Sequence, residues 1–142
     1  EIDFIQVHMN ADDGIEFFGG TANARHVVLT GIGDDNLDWT DGWTGNLQFL
    51  VAQQYEDNGD NGIEADNKGD NNAAEPYSDP TVANVTLVGS PDSSSSDIGM
   101  QIREGTRGAI YNSVVVGWND ACLDIDNDVT TMMTMSTMTK TA

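Results

Sequence analysis

Four carboxylates and one amide hold the same place in a recurring pattern: Glu16, Asp38, Glu64, Gln101 and Asp124. Each is the middle residue of a triplet with apolar neighbours: Ile15-Glu16-Phe17, Leu37-Asp38-Trp39, Ile63-Glu64-Ala65, Met100-Gln101-Ile102 and Leu123-Asp124-Ile125. A second acid precedes each triplet by three positions, at Asp12, Asp34, Asp60, Asp97 and Asp120, with successive separations of 22, 26, 37 and 23 residues. Carboxylates supplied in multiples are the hard oxygen ligands that Ca²⁺ takes, and two further stretches crowd such groups together. These are Asp57-Asn58-Gly59-Asp60-Asn61-Gly62 and Asp124-Ile125-Asp126-Asn127-Asp128. Neither is an EF-hand loop, because the twelfth position, which needs a bidentate Glu, is Lys68 in one and Met135 in the other. The candidate metal ligands are therefore Glu16, Asp38, Glu64, Asp57, Asp60, Asp124, Asp126 and Asp128. The leading Asp residues have a competing use as caps for turn amides.

The triplets alternate with period two, which places both apolar residues on one face of a strand and the acid on the other. A second β-rich run precedes most of them: Ile5 to Met9, Val27 to Thr30, Leu47 to Val51, Val85 to Val88 and Val114 to Val116. Gly, Asn and Asp separate the runs where the chain must turn. Strands this short cannot bury an apolar face alone, so equivalent strands of successive repeats must stack about 4.8 Å apart. The expected fold is all-β, a β-solenoid of about five coils over 1–128, with Ile15, Leu37, Ile63, Met100 and Leu123 as one inward ladder. In that register the carboxylates form outward ladders, and neighbours repel by about 1 kcal/mol per pair even at the dielectric of water. A bound cation would offset this. Residues 66–81 read as a loop excursion and Pro91 to Ser96 as a shorter one, while the Thr/Met-rich tail 129–142 has no strand alternation comparable to the coils.

The Val-rich strands, the corners and the motifs Gly19-Gly20-Thr21, Gly31-Ile32-Gly33-Asp34-Asp35 and Asn61-Gly62-Ile63-Glu64-Ala65-Asp66-Asn67 carry a resemblance. Over residues 2–128 the chain is similar to the right-handed parallel β-helix of the pectin-lyase-like superfamily, most of all to uncharacterised secreted bacterial members. That resemblance implies the fold and an extracellular or cell-surface location. It does not select an activity, since one scaffold serves lyases, hydrolases, adhesins and spikes. Asp34-Asp35 resembles the double-Asp motif of polygalacturonase-type hydrolases, whose carboxylates serve as acid and base. The His-Gly and Arg-Lys motifs of that family are not present, and Asp12-Asp13 repeats the pair one coil earlier. For a lyase base the chain offers Arg25, Arg103 and Arg107 as its arginines, with Lys68 in a loop and Lys140 in the tail; His8 and His26 fall in strand runs that send them outward.

With 24 acids, 5 Lys and Arg residues and a formal net charge of −19, binding to nucleic acid or an anionic membrane is opposed, and cations are favoured. No apolar run approaches the length of a membrane span. Cys122 is the single cysteine, so no internal disulfide forms. Trp39, Trp43, Trp118, Phe17, Phe18 and Tyr55 are the aromatics that could stack on sugar rings; Trp39 falls on the apolar phase and belongs to the core, whereas Trp43 and Trp118 lie at turns. The expectation is a secreted structural or adhesive module, Ca²⁺-stabilised, associating through its ends with copies of itself or with further coils. The alternative is a fragment of a carbohydrate-active enzyme, a polysaccharide hydrolase or lyase using Asp34 and Asp35.

Overall fold

Every one of the five triplets contributes to a strand, and every preceding β-rich run extends into a longer one. The computed structural model describes residues 1–56 and 59–130, and the backbone of 134–139. The long strands are β1 (Ile2–His8), β3 (Ala24–Thr30), β5 (Asn46–Gln53), β7 (Thr81–Val88), β9 (Ala109–Val116) and β11 (Thr134–Thr139). The triplets form β2 (Ile15–Phe18), β4 (Leu37–Thr40), β6 (Ile63–Ala65), β8 (Met100–Ile102) and β10 (Asp124–Ile125). One sheet runs in the order β1-β3-β5-β7-β9-β11 and the other β2-β4-β6-β8-β10, and all described pairings are parallel. The chain thus alternates between two sheets and advances one strand spacing per circuit, as expected of a β-solenoid.

The register is the one the triplets dictate. Ile15 pairs with Leu37, Leu37 with Ile63 and Ile63 with Met100, and Leu123 follows beside Met100, one residue before Asp124 pairs with Gln101. Leu37, Ile63 and Met100 are wholly buried, packed against Leu29, Leu50 and Leu87 from the long strands. Glu16, Asp38, Glu64, Gln101 and Asp124 pair in the same order on the outer face.

The long strands β1, β3, β5, β7 and β9 each carry an interruption that alternation alone did not reveal. Phe4, His26, Phe49, Asn84 and Asn112 all have a left-handed backbone, with φ of 53°, 52°, 63°, 57° and 51°. They fall outside the register of paired residues on either side, and the five stack in a row along the sheet. A positive φ inside a strand turns the chain and restarts the inward–outward alternation, so Ala24 and Val27, three apart, both face the core. Rings and amides tie the row together: Phe4 stacks on His26 at 4.6 Å, His26 on Phe49 at 5.1 Å, and Asn112 Nδ2 donates to Asn84 Oδ1 at 2.6 Å.

Corners are closed by glycine and asparagine. A Cβ on Gly62 would lie 2.5 Å from the Gly99 carbonyl oxygen and 2.8 Å from the Trp118 ring, so no larger residue fits between successive coils there. The excursion between β6 and β7 is organised by buried Asn67, whose Nδ2 donates to the carbonyls of Asn72 and Ala74 and whose Oδ1 accepts the Ser78 N–H at 2.8 Å. In the Thr/Met-rich tail, β11 adds a sixth strand to the first sheet, pairing Thr134 with Ala109 and Met138 with Ser113. Trp43 and Trp118, expected at turns, are buried; Trp43 stacks on Phe17 at 4.2 Å and donates from Nε1 to the Ala22 carbonyl.

Candidate cation-binding face

Charge is divided unequally between the two sheets. β5, β7 and β9 contain no charged residue at all, whereas the outer face and leading corner of the triplet sheet gather acids coil after coil. Asp13, Glu16 and Asp38 each offer an oxygen within 4.8 Å of the others, and so do Asp34, Asp35 and Asp60, and Asp12, Asp13 and Asp34. Stacking places Glu16 beside Asp38, and the preceding turn brings Asp13 over them.

The corner is built by hydrogen bonds from one coil to the next. The Asp35 N–H donates to Asp13 Oδ1 at 3.2 Å, and the Asn61 N–H donates to Asp35 Oδ1 at 2.8 Å. The leading acids stack through their backbones as well, Asp60 N to Asp34 O, Asp97 N to Asp60 O and Asp120 N to Asp97 O. Asp13 and Asp35 therefore cap turn amides, while the neighbouring Asp34 and Asp12 remain exposed.

Burial and crowding together make these acids hard to ionise. Asp38 is pushed up to about 8, first by burial and then by the charges of Glu64, Asp13 and Glu16. Asp35 rises to about 9 through burial and the adjacent Glu64, with which it shares a hydrogen bond between carboxyl groups. Asp13 rises to about 6, again chiefly by burial, and Asp60 shifts the same way. Asp38 Oδ1 is buried without a hydrogen-bond partner among the described residues. A buried carboxylate oxygen with no donor and acids on either side lacks positive charge.

Glu64 has a cation already. Arg103, following β8, donates from a terminal nitrogen to Glu64 and from Nε to Asp66 Oδ1 at 2.8 Å, and reaches Gln101 Oε1 at 3.3 Å. Of the sequence candidates, Glu16 and Asp38 thus meet in one cluster and Asp60 in another, whereas Glu64 is bound to Arg103 and Asp35. Asp124, Asp126 and Asp128 belong to no group of three acids among the described residues, and Asp126 caps the Asn127 N–H. Asp57 lies outside the described residues. Asp13 was not among the candidates; the repeated pairs Asp12-Asp13 and Asp34-Asp35 were its signal. Lys68, which occupies the failed EF-hand position, pairs with Asp41 at 2.8 Å.

The family model for the pectate-lyase-like beta helix domain matches residues 1–142. The chain belongs to that family. No curated protein and no solved structure matched it. Membership of the pectate-lyase-like family accounts for the parallel coils and leaves the acidic face to be read on its own chemistry.

Proposed function

We propose that this pectate-lyase-like domain is a structural or adhesive module of an extracellular or cell-surface protein, whose triplet sheet is held together by Ca²⁺. The observation that carries the reading is Asp38: its buried Oδ1 has no donor, while Asp13 and Glu16 each bring an oxygen within 4.8 Å. Ca²⁺ lies about 2.3–2.6 Å from its oxygens, so ligands on opposite sides of one ion are separated by up to roughly 5 Å, which suits this trio. Asp34, Asp35 and Asp60 form a second trio of the same size. Each site bridges two coils, so the ion acts as a staple along the solenoid. The terminal coils, with Ile2, Val7 and Ile15 only partly covered at one end and Leu123 at the other, join to further coils of the same kind, from a longer chain or a second copy.

Thermal unfolding in chelator and in millimolar Ca²⁺ tests the reading. Ca²⁺ should raise the midpoint well beyond an equal ionic strength of NaCl, because only a ligand bound to the folded state stabilises by mass action. Equal midpoints in Ca²⁺ and matched NaCl would remove the ion.

A second reading rests on Asp34 and Asp35, the latter raised to about 9 by burial and by neighbouring Glu64. A carboxyl kept protonated near neutral pH is what a general acid in glycoside cleavage requires. The spacing speaks for the cation instead, since Asp34 and Asp35 offer oxygens within 4.8 Å and an inverting pair stands about 6.5–9.5 Å apart. Release of reducing ends or unsaturated uronates from polysaccharides, lost in Asp35→Asn, would establish the enzyme.

A further inference from the structure

Six aromatic side chains are candidates for stacking on sugar rings, and burial removes four of them: Phe17, Trp39, Trp43 and Trp118 are each no more than 9% exposed. Phe18 is exposed on the edge strand β2, outside the pockets described. Tyr55 is 38% exposed and lines an open cavity of about 500 Å³ at the corner that follows β5. That volume falls within the roughly 300–1,000 Å³ of small-molecule sites.

The ring is held in place from below. Gly31 has a left-handed backbone, and a Cβ there would come within 2.7 Å of the Tyr55 ring and 2.8 Å of Met9 Sδ, so both side chains rest on its bare Cα. The His8 ring packs edge-on against Tyr55 at 6.1 Å. Gly89, Ser90, Pro91 and Asp92, which follow β7, also line the cavity. Gln54, 3% exposed, lines the same cavity; its Nε2 donates to the Asn61 carbonyl, and its Oε1 has no partner among the described residues.

The carboxylates in the lining are Glu56 and Asp92, and no Lys, Arg or His is among the described lining residues, His8 reaching only the edge of the Tyr55 ring. The two carboxylates accept hydrogen bonds, so a ligand that fits must bring donors, and a net charge of −19 repels uronates. An aromatic face beside two carboxylates suits a pyranose ring carrying an ammonium group. We propose that this corner pocket binds a protonated amino sugar, with the ring on Tyr55 and the ammonium between Glu56 and Asp92. The site is separate from the acidic triplet sheet and does not depend on its cation.

The test is a titration of the intact chain, in chelator and followed by NMR or calorimetry, with the glucosamine disaccharide, its N-acetylated form and digalacturonate. Saturable binding of the glucosamine disaccharide is expected, at least tenfold weaker in Tyr55→Ala and several-fold weaker in Asp92→Asn, with the acetylated form much weaker and digalacturonate silent. Asp128→Asn, an exposed acid outside the clusters of three, should leave the affinity unchanged, which separates this pocket from diffuse attraction to the chain's negative charge. Three results overturn the proposal: no binding of the glucosamine disaccharide, equal binding of the acetylated form, or an affinity unaffected by Tyr55→Ala in a variant with wild-type circular dichroism.

Discussion

Arg103 reaches back one coil to Asp66, Nε to Oδ1 at 2.8 Å, and the same guanidinium holds Glu64. In a chain with 24 acids this places a charge of opposite sign among crowded carboxylates, beside the Asp35–Glu64 pair. Arg is suited to the position because its planar fork satisfies two carboxylates at once and keeps its charge when half-buried.

Arg103→Met should therefore destabilise the solenoid by about 2–4 kcal/mol at pH 8, since partly buried carboxylates lose their counter-charge. Part of the loss should return at pH 5, because burial raises Glu64 and favours its protonated form as pH falls. Denaturant unfolding at the two pH values checks this; an equal loss at both would mean that packing of the Arg stem, not its charge, matters.

Stability in chelator should fall as pH rises from about 5 to 9. Asp13, Asp35 and Asp38 have folded-state values raised to about 6, 9 and 8 from an ordinary 3.8, so the folded protein holds protons that the unfolded chain has released. Their contribution is complete below the unfolded value and disappears as pH passes through the folded ones. Ca²⁺ should flatten the profile at its alkaline end, where the carboxylates need it most. A melting midpoint that climbs steadily from pH 5 to 9 without Ca²⁺ would contradict the crowding.

Asp38→Asn separates charge from fold. Removing the acid relieves its repulsion with Glu64, Asp13 and Glu16, and should raise stability in chelator by about 1–2 kcal/mol at pH 8. The same change removes a ligand, so the Ca²⁺-dependent rise in melting temperature should shrink. If the variant keeps the full Ca²⁺ response, the ion sits elsewhere.

The triplets were legible because period-two alternation survives wherever a strand has regular backbone: Leu37-Asp38-Trp39 reads inward, outward, inward in sequence and in space. The opening halves of β3, β5, β7 and β9 were less so, since His26, Phe49, Asn84 and Asn112 reset the phase in mid-strand and make Ala24 or Ile110 look out of step. The burial of Trp43 and Trp118 depended on neighbours distant in sequence, Phe17 for one and the bare Cα atoms of Gly62 and Gly89 for the other. The acid ladder followed directly from the register. The corner role of Asp13 did not, because it is fixed by the Asp35 amide one coil away.

The left-handed row makes a prediction that reaches the backbone itself. Asn112 has φ of 51° in the middle of β9 and donates to Asn84 at 2.6 Å, and Asn tolerates this conformation better than most L residues. Glycine adopts it freely, so Asn112→Gly should cost little more than the lost side-chain bond, about 0.5–1.5 kcal/mol. Valine has two branches at Cβ and high strand propensity, which by sequence pattern alone would make it a welcome neighbour of Ser113-Val114-Val115. At a positive φ it is strained instead, and Asn112→Val should lose roughly 1–2 kcal/mol more than the glycine variant. Urea unfolding of the pair decides the matter: if valine matches or exceeds glycine, the strand is regular at this point and the turn in the long sheet is not fixed by its backbone.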